Sequence, residues 1–437
     1  MKRWLLLSII FLIGCSYGLA GDDLLALPRT SPDVDRLHAQ LNTLLSSEDG
    51  AIVAPNAGSN RQPIQVRDLT GNGRDNFIVF YRTEADYPIR IAIFEPYNET
   101  FVLQHTLQLP GEDLVSVAFA NLFYDDGLEM IIGTESNDVK LLTVFRNFEE
   151  VLTTEYTAVI IHTVNNRDYL LTVVGNIHAE TQQYNNSVRL YLPDEESGHL
   201  ARSDLVTISP GQYRSVRFTS LHDATPAILI TTTEGLPDIN ETAVTDVLVL
   251  SPDHQRIDAI SLDIMYGRSP VRNANMPVAD LTNNGKKLFP VTLSSSAGGA
   301  ADVVQWISYT SYGERIPQLQ TVHNLNDGWQ FTIPDTWGDI VLFQHEVTRE
   351  RHIVLAVQDV DNPEIFHDIL SIIRVVGGAR ELPERPRFTL LSNQVDLIVA
   401  ELFELPEGLE AFYINAEDVQ NAMSWIVRDM LPLDLND

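Results

Sequence analysis

The sequence predicts an all-β chain: a six- or seven-bladed β-propeller with a short N-terminal helix and a C-terminal helix. Three observations carry this. Short runs rich in Val, Ile, Leu, Phe and Thr, separated by turn residues, fill residues 51–410. A polar loop followed by an apolar strand recurs at intervals of roughly 40–60 residues, with room for about four strands per unit. No amphipathic helical period appears between the two ends of that region.

Composition sets the class. Hydrophobic residues make up 44% and charged residues 20%, the balance of a folded globular chain rather than a disordered one. Lys and Arg number 29 against 60 Asp and Glu, a net charge of -31. Such a surface repels phosphate backbones, so nucleic acid is excluded as a partner.

Residues 1–14 read as a signal peptide. Lys2 and Arg3 precede an apolar run from Trp4 to Ile13 that only Ser8 interrupts. The run is too short to span a bilayer comfortably. It ends in Leu12-Ile13-Gly14-Cys15, and Cys15 is the only cysteine, so the chain has neither an internal disulfide nor a thiolate metal site. A lone cysteine is ordinarily a small buried hydrophobe. Here its position at the end of the apolar run points to acylation of the thiol, and the segment resembles the lipobox of bacterial lipoproteins. That resemblance implies cleavage before Cys15, a lipid anchor and a place on the extracytoplasmic face of the cell membrane. The competing reading is an ordinary secretory cut near Ala20.

Residues 15–30 form a linker from the anchor. Over residues 31–50, Ser31 as N-cap, Pro32 at the first position and Asp33 in the first turn start a helix. Val34, Leu37, Leu41, Leu44 and Leu45 give it one apolar face. The repeats follow. The clearest loop is Asp68-Leu69-Thr70-Gly71-Asn72-Gly73-Arg74-Asp75-Asn76, before Phe77-Ile78-Val79. Further copies start at Asn121 and Asp280, with eroded ones near residues 164 and 221. The pattern resembles FG-GAP and VCBS-type repeats, which form propeller blades. The order of lipobox, helix and blades is similar to a poorly characterised class of lipoproteins from Gram-positive bacteria. Residues 411–437 hold the C-terminal helix, with Asn415 as its cap and Val419, Met423, Ile426 and Met430 on its apolar face. Residues 51–54 are expected to complete the last blade by pairing with C-terminal strands.

The loops suggest one chemistry and weaken it. Calcium-binding relatives place acidic oxygens at positions 1, 3, 5 and 9 of such a loop. Here those positions hold Asp68, Thr70, Asn72 and Asn76 in the first copy. The second offers Asp125 and Glu129, with Phe123 at position 3, and the third Asp280, Thr282 and Asn284, with Leu288 at position 9. With so few carboxylates, Asx-turns that accept backbone N–H groups are the preferred reading, and Ca²⁺ is the alternative. No cofactor is otherwise expected.

No nucleophile elbow, zinc-binding His-Glu-x-x-His pair or Walker loop occurs, so no catalytic residue is assigned. Trp329, Trp337 and Asp335 lie in a stretch dense in aromatics and acids; core packing of the rings is the preferred reading, and binding of a sugar or a basic peptide is the alternative. The function expected is a membrane-anchored binding module for a protein or glycan of the cell envelope. The alternatives are an envelope glycan hydrolase or lyase working in the propeller channel, and a purely structural component.

Overall fold

The computed structural model describes residues 32–426 except 99, 178–183, 236–240, 263–269, 297–298, 348–349, 360, 376–386 and 394–396. The segment read as a signal peptide, Cys15 and the expected linker lie outside the described residues, as do Ser31 and Met430. Among the described residues the strands form six antiparallel sheets of four or five strands, and each is a blade of the propeller.

Blade 1 contains Ile64–Arg67, Asn76–Arg82, Ile89–Tyr97 and Thr100–Leu109. Blade 2 contains Asp113–Ala120, Glu129–Ser136, Val139–Arg146 and Glu149–Glu155. Blade 3 contains Ala158–Val164, Arg167–Ile177, Tyr184–Pro193 and Leu200–Ile208. Blade 4 contains Gln212–Ser220, Pro226–Glu234, Thr242–Leu250 and Ile257–Ile260, with Arg272–Asn273 added at its edge. Blade 5 contains Phe289–Ser295, Asp302–Tyr309, Arg315–Asn324 and Trp329–Ile333. Blade 6 contains Ile340–Val347, Glu350–Gln358 and Phe366–Val375, with Leu397–Leu402 inserted between the last of these and Arg387–Ser392.

The middle strands are apolar at nearly every position because both of their faces are buried. In blade 1, Ile78 and Phe80 face Met130 and Ile132 of blade 2. On blade 2 the alternate residue Ile131 faces Val159 and Leu170 of blade 3. Leu171 and Val173 then meet Ile228 and Ile230 of blade 4. Leu229 and Val247 meet Phe289 and Ile307 of blade 5, and Val303, Val322 and Phe331 meet Leu342 and Leu355 of blade 6.

The other face of blade 1 carries helix α1 (Pro32–Glu48). Leu37 and Leu41 pack on Val79, Tyr81, Ala92 and Phe94. The helix end is tied down by Glu48, whose Oε2 accepts from Tyr81 Oη and from Arg90 Nη1, each at 3.0 Å. Among the described residues, no helix is long and apolar enough to cross a membrane.

Two expectations about the ends fail. Ala51 and Ile52 pair with Arg82 and Tyr81 of blade 1, not with C-terminal strands. The chain leaves α1 directly beside blade 1, so the local edge is the one within reach. Helix α2 (Ala416–Ala422) has the expected cap, Asn415 Oδ1 accepting from Asp418 N at 2.9 Å, but stops before Met423. Met423–Trp425 is a strand that pairs with Trp329–Phe331 of blade 5. Its alternation of Met423, Ser424 and Trp425 suits an edge strand, and pairing satisfies backbone groups that blade 5 would otherwise leave open.

One buried charge fastens blade 5 to blade 6. Asp327, in the turn before Trp329, bonds Asn324 and takes Arg351 and Arg374 of blade 6 on one carboxylate oxygen, Arg374 at 2.6 Å. Asp327→Ala strips the acid from two arginines that keep some solvent. We expect a loss of about 2–3 kcal/mol, below the full range for a buried pair, measured by urea unfolding. A loss under about 0.5 kcal/mol, the size of an ordinary surface change, would mean the pair is unimportant to the junction.

Candidate functional site

The repeated polar loops occupy one position in the fold. They join the first and second strands of blades 1 to 4, and in blade 5 the loop is closed by a bridge between Ala279 and Leu288. In an up-and-down sheet these connections share an end with the turns between the third and fourth strands. Contacts between blades hold that end together. Leu128 N donates to Leu69 O at 3.1 Å, joining loops 1 and 2. Asn121 N donates to Asp168 Oδ2 at 2.9 Å, joining blades 2 and 3. Lys286 Nζ reaches His222 O at 3.2 Å, joining blades 5 and 4. Gly71 is required where loops 1 and 2 meet: its φ is +69°, and a Cβ there would fall 2.3 Å from the Asp126 backbone.

The loop carboxylates face backbone, as Asx-turns require. Asp68 accepts from Asn72 N at 3.2 Å and from Gly73 N at 2.6 Å, and Asn72 Oδ1 accepts from Arg74 N at 2.8 Å. The third loop repeats this pattern: Asp280 accepts from Thr282 N, Asn284 N and Gly285 N, and Asn284 Oδ1 from Lys286 N. Thr70 Oγ1 is buried without a hydrogen-bond partner, and Thr282 Oγ1 points back at Asp280, 3.5 Å away. Among the described residues no group of three or more His, Cys, Asp or Glu side chains is gathered to hold a metal ion. One ligand-position carboxylate in the first and third loops, each with both oxygens bonded to backbone N–H groups, does not fit a tight Ca²⁺ site there.

Position 9 has a structural task. Asn76 Oδ1 accepts the Leu69 N–H at 3.0 Å, and its amide donates to Glu95 Oε1 at 3.1 Å. In the second loop Glu129 Oε2 accepts the Leu122 N–H at 2.7 Å. Glu129 is only 1% exposed. Burial pushes its pKa up to about 7 and Asp125 adds to the rise, while the Leu122 N–H and Arg146 oppose it. Arg146 lies over the Phe123 ring at 4.0 Å, with Nη2 2.6 Å from Asp125 Oδ2 and Nε 3.8 Å from Glu129 Oε1. That bond to Arg146 holds the Asp125 carboxyl below its usual range. Asp223 in the fourth loop is held at about 2: burial, the largest single influence, raises it, but the hydroxyl and N–H of Ser311 together with Thr225 outweigh it.

Neither tryptophan offers a ring to a ligand. Trp329 is 1% exposed and Trp337 is 6% exposed, both within the core shared by blades 5 and 6, while Asp335 lies exposed in the turn between them. The packing role explains both rings. Blade 6 holds one arrangement that the sequence hid, in which His352 bridges Ser371 (3.3 Å) and Glu350 (2.9 Å). The order is that of a Ser-His-acid relay. Ser371 is 1% exposed, however, and Arg387 binds Glu350 at 2.8 Å, so this is a buried polar network rather than an open nucleophile.

Sequence reasoning also passed over the exposed tyrosines of the loop end. Tyr97 (62% exposed) sits beside the turn between the third and fourth strands of blade 1, Tyr124 (39%) in loop 2, and Tyr312 (87%) in the blade 5 turn that binds Asp223 through Ser311. Arg167 covers one side of Tyr124 at 5.0 Å. Scattered along the sequence, these residues carry no common motif.

No protein-family model matches the chain, and neither does any curated protein. Among solved structures it is similar to a protein from Lactobacillus plantarum (10% identity, 72% of this chain and 86% of that one, TM-score 0.27). It is also similar to rhamnogalacturonan lyase YesW (13%, 73% and 64%, TM-score 0.28). A third is the β-propeller domain of the Trilobed protease from Pyrococcus furiosus (10%, 72% and 89%, TM-score 0.25). At such values the likenesses carry no argument about activity, and the fold rests on the sheets themselves.

Glu129 makes a pH signature. Its ordinary value is 4.5, and burial in the fold pushes it up to about 7. Below the lower value both states hold the proton; above the upper one both have lost it, and the folded state bears the cost of a buried charge. The site's contribution to stability therefore falls as pH rises between them. Glu129→Gln keeps an acceptor for Leu122. Relative to wild type, the variant should gain on the order of 3 kcal/mol at about pH 8 and nothing near pH 4 in urea titrations. A difference that does not change with pH would show that the carboxylate titrates normally.

Proposed function

We propose that the chain is a lipid-anchored, extracytoplasmic binding module, with the loop end of the propeller as its binding face and a protein or glycan of the cell envelope as its partner. The observation that carries this is the combination of exposed tyrosines with braced loops. Tyr124 and Tyr312 stand out from turns tied to neighbouring blades by hydrogen bonds, and Tyr97 stands beside the turn that Asn98 sets in the left-handed conformation. An amphipathic ring on a rigid support gives contact area at a small entropic cost, as binding faces require. The acidic chain disfavours anionic partners at this face. The FG-GAP and VCBS-like character of the loops belongs to the same reading, with the loops kept as junctions whose cation ligands have been replaced.

The anchor is supported by the segment from Lys2 to Cys15. Mass spectrometry of the mature N-terminus should find acylated Cys15; a free N-terminus at Ala20 or beyond removes the anchor. For the face, the full chain is used as bait on envelope extract at several salt concentrations, beside the variant with Tyr97→Ala, Tyr124→Ala and Tyr312→Ala together. Wild type should recover a partner that the variant loses, with both melting alike. Equal recovery by the two, or none by either, sinks the proposed face.

A further inference from the structure

We propose that Asn72 and Asn284 are sites of spontaneous deamidation, and that Asp68 and Asp280 hold the reaction in check. Asparagine followed by glycine occurs twice in the chain, as Asn72-Gly73 and Asn284-Gly285. Both pairs stand at positions 5 and 6 of their loops. The turn demands the glycine, whose φ is +77° in loop 1 and +80° in loop 3. All four residues are exposed, and a Cβ at either glycine would meet nothing within 4 Å. Water therefore reaches both pairs, and glycine brings no side chain of its own to shield its nitrogen.

The reaction needs water alone. The glycine nitrogen gives up its proton and attacks Cγ of the preceding asparagine. The Cγ–Nδ2 bond breaks, ammonia leaves with the proton, and a cyclic imide remains. Water then opens the imide at one of its two carbonyls, giving aspartate or isoaspartate. In both loops the starting groups are tied. Gly73 N donates to Asp68 Oδ2 at 2.6 Å, and Gly285 N to Asp280 Oδ2 at 2.7 Å. A carboxylate against an N–H opposes loss of that proton, because two negative charges would then meet. The carbonyl under attack is fixed as well: Asn72 Oδ1 accepts from Arg74 N and Asn284 Oδ1 from Lys286 N, each at 2.8 Å. Deamidation thus requires the turn to open first.

Each pair adjoins a contact between blades. Loop 1 carries the bond from Leu128 N to Leu69 O and the close approach of Gly71 to Asp126, and loop 3 carries the Lys286 bond to His222 O. Aspartate at position 5 sets a second carboxylate in a turn already closed around the first, and like charges repel. Isoaspartate adds a carbon to the backbone path where Gly71 already lies against the Asp126 backbone. Either product loosens the loop end. Position 1 therefore has a task beyond gathering the N–H groups of the turn: it preserves the asparagine beside it.

The full-length chain is aged at mildly alkaline pH and mapped by peptide mass, which reads the exchange of an amide NH₂ for OH at each asparagine. Wild type unfolded in guanidinium chloride should convert both sites about tenfold faster or more than the folded chain does. Folded Asp68→Ala should speed conversion of Asn72 about tenfold or more, the scale of one charge-assisted hydrogen bond, and leave Asn284 unchanged. Asp280→Ala should do the converse, so each variant carries its own reference site. Asp68→Asn keeps an acceptor without the charge and should also speed Asn72 alone, which preserves the test where Asp68→Ala does not fold. Equal rates in folded and unfolded wild type overturn the proposal, as do variants that speed neither site. A rise at both sites in one variant marks general unfolding and overturns the role given to position 1.

Discussion

Burial of the middle strands on both faces is the constraint on which the structure depends. A strand such as Phe77-Ile78-Val79-Phe80-Tyr81 cannot meet it alone. Ile78 and Phe80 need blade 2, and Val79 and Tyr81 need α1. The same demand passes from blade to blade, since each sheet turns one set of alternate side chains to the previous neighbour and the other set to the next. Repetition is thus a physical necessity as well as a sequence pattern: a single blade would expose an apolar face. Helix α1 answers the demand at the start of the series, which accounts for an amphipathic helix preceding an otherwise all-β chain.

Packed sheets leave a second problem at their ends, where the chain must turn between buried strands without orphaning backbone groups. The polar loops solve it by side chain. Position 1 gathers the N–H groups of the turn, as at Asp68 and Asp280. Position 9 reaches back to the N–H of position 2, as at Asn76 and Glu129. An amide does the second task without charge. A carboxylate does it at the cost of burial, which raises the pKa of Glu129 and draws in Arg146. In the third copy Leu288 has no polar side chain to offer, and backbone pairing with Ala279 closes the loop instead.

Much of this was legible in the sequence because it is local. The apolar runs, the loop spacing, the Asn415 cap and the Asx-turn bonds of the loops all follow from neighbours within about ten residues along the chain. What escaped depends on distant partners. Met423 fits a helical period as well as a strand period, and only the free edge of Trp329–Ile333 decides between them. Residues 51–54 could have paired at either end of the chain, and the position of α1 decides that case. The concentration of Trp329, Trp337 and acids reads as core packing or as a binding patch, since exposure cannot be read from residue type, and burial places both rings in the core. The acid that matters there, Asp327, points inward to Arg351 and Arg374, partners at least 24 residues away in sequence. Likewise Ser371, His352 and Glu350 meet across two strands with no motif to announce them.

The same reasoning identifies where function is to be sought. A fold that satisfies its loop polar groups internally has little left to offer a ligand, so most of the loop end is scaffold. Engaged groups such as Asp68 or Asp223 could bind a partner only by giving up bonds that hold the turn, at a cost to the fold. Unengaged groups carry no such penalty. Arg74 and Asp75 follow Asn72 and Gly73 directly, so they are positioned by a turn whose hydrogen bonds are already complete. The turn at Asn98 is likewise set by backbone conformation rather than by its side chain. Rigid backbone under free side chains is the arrangement in which binding energy is least diluted by ordering costs. The tryptophan-rich stretch does not meet that condition, because its rings are already committed to the core.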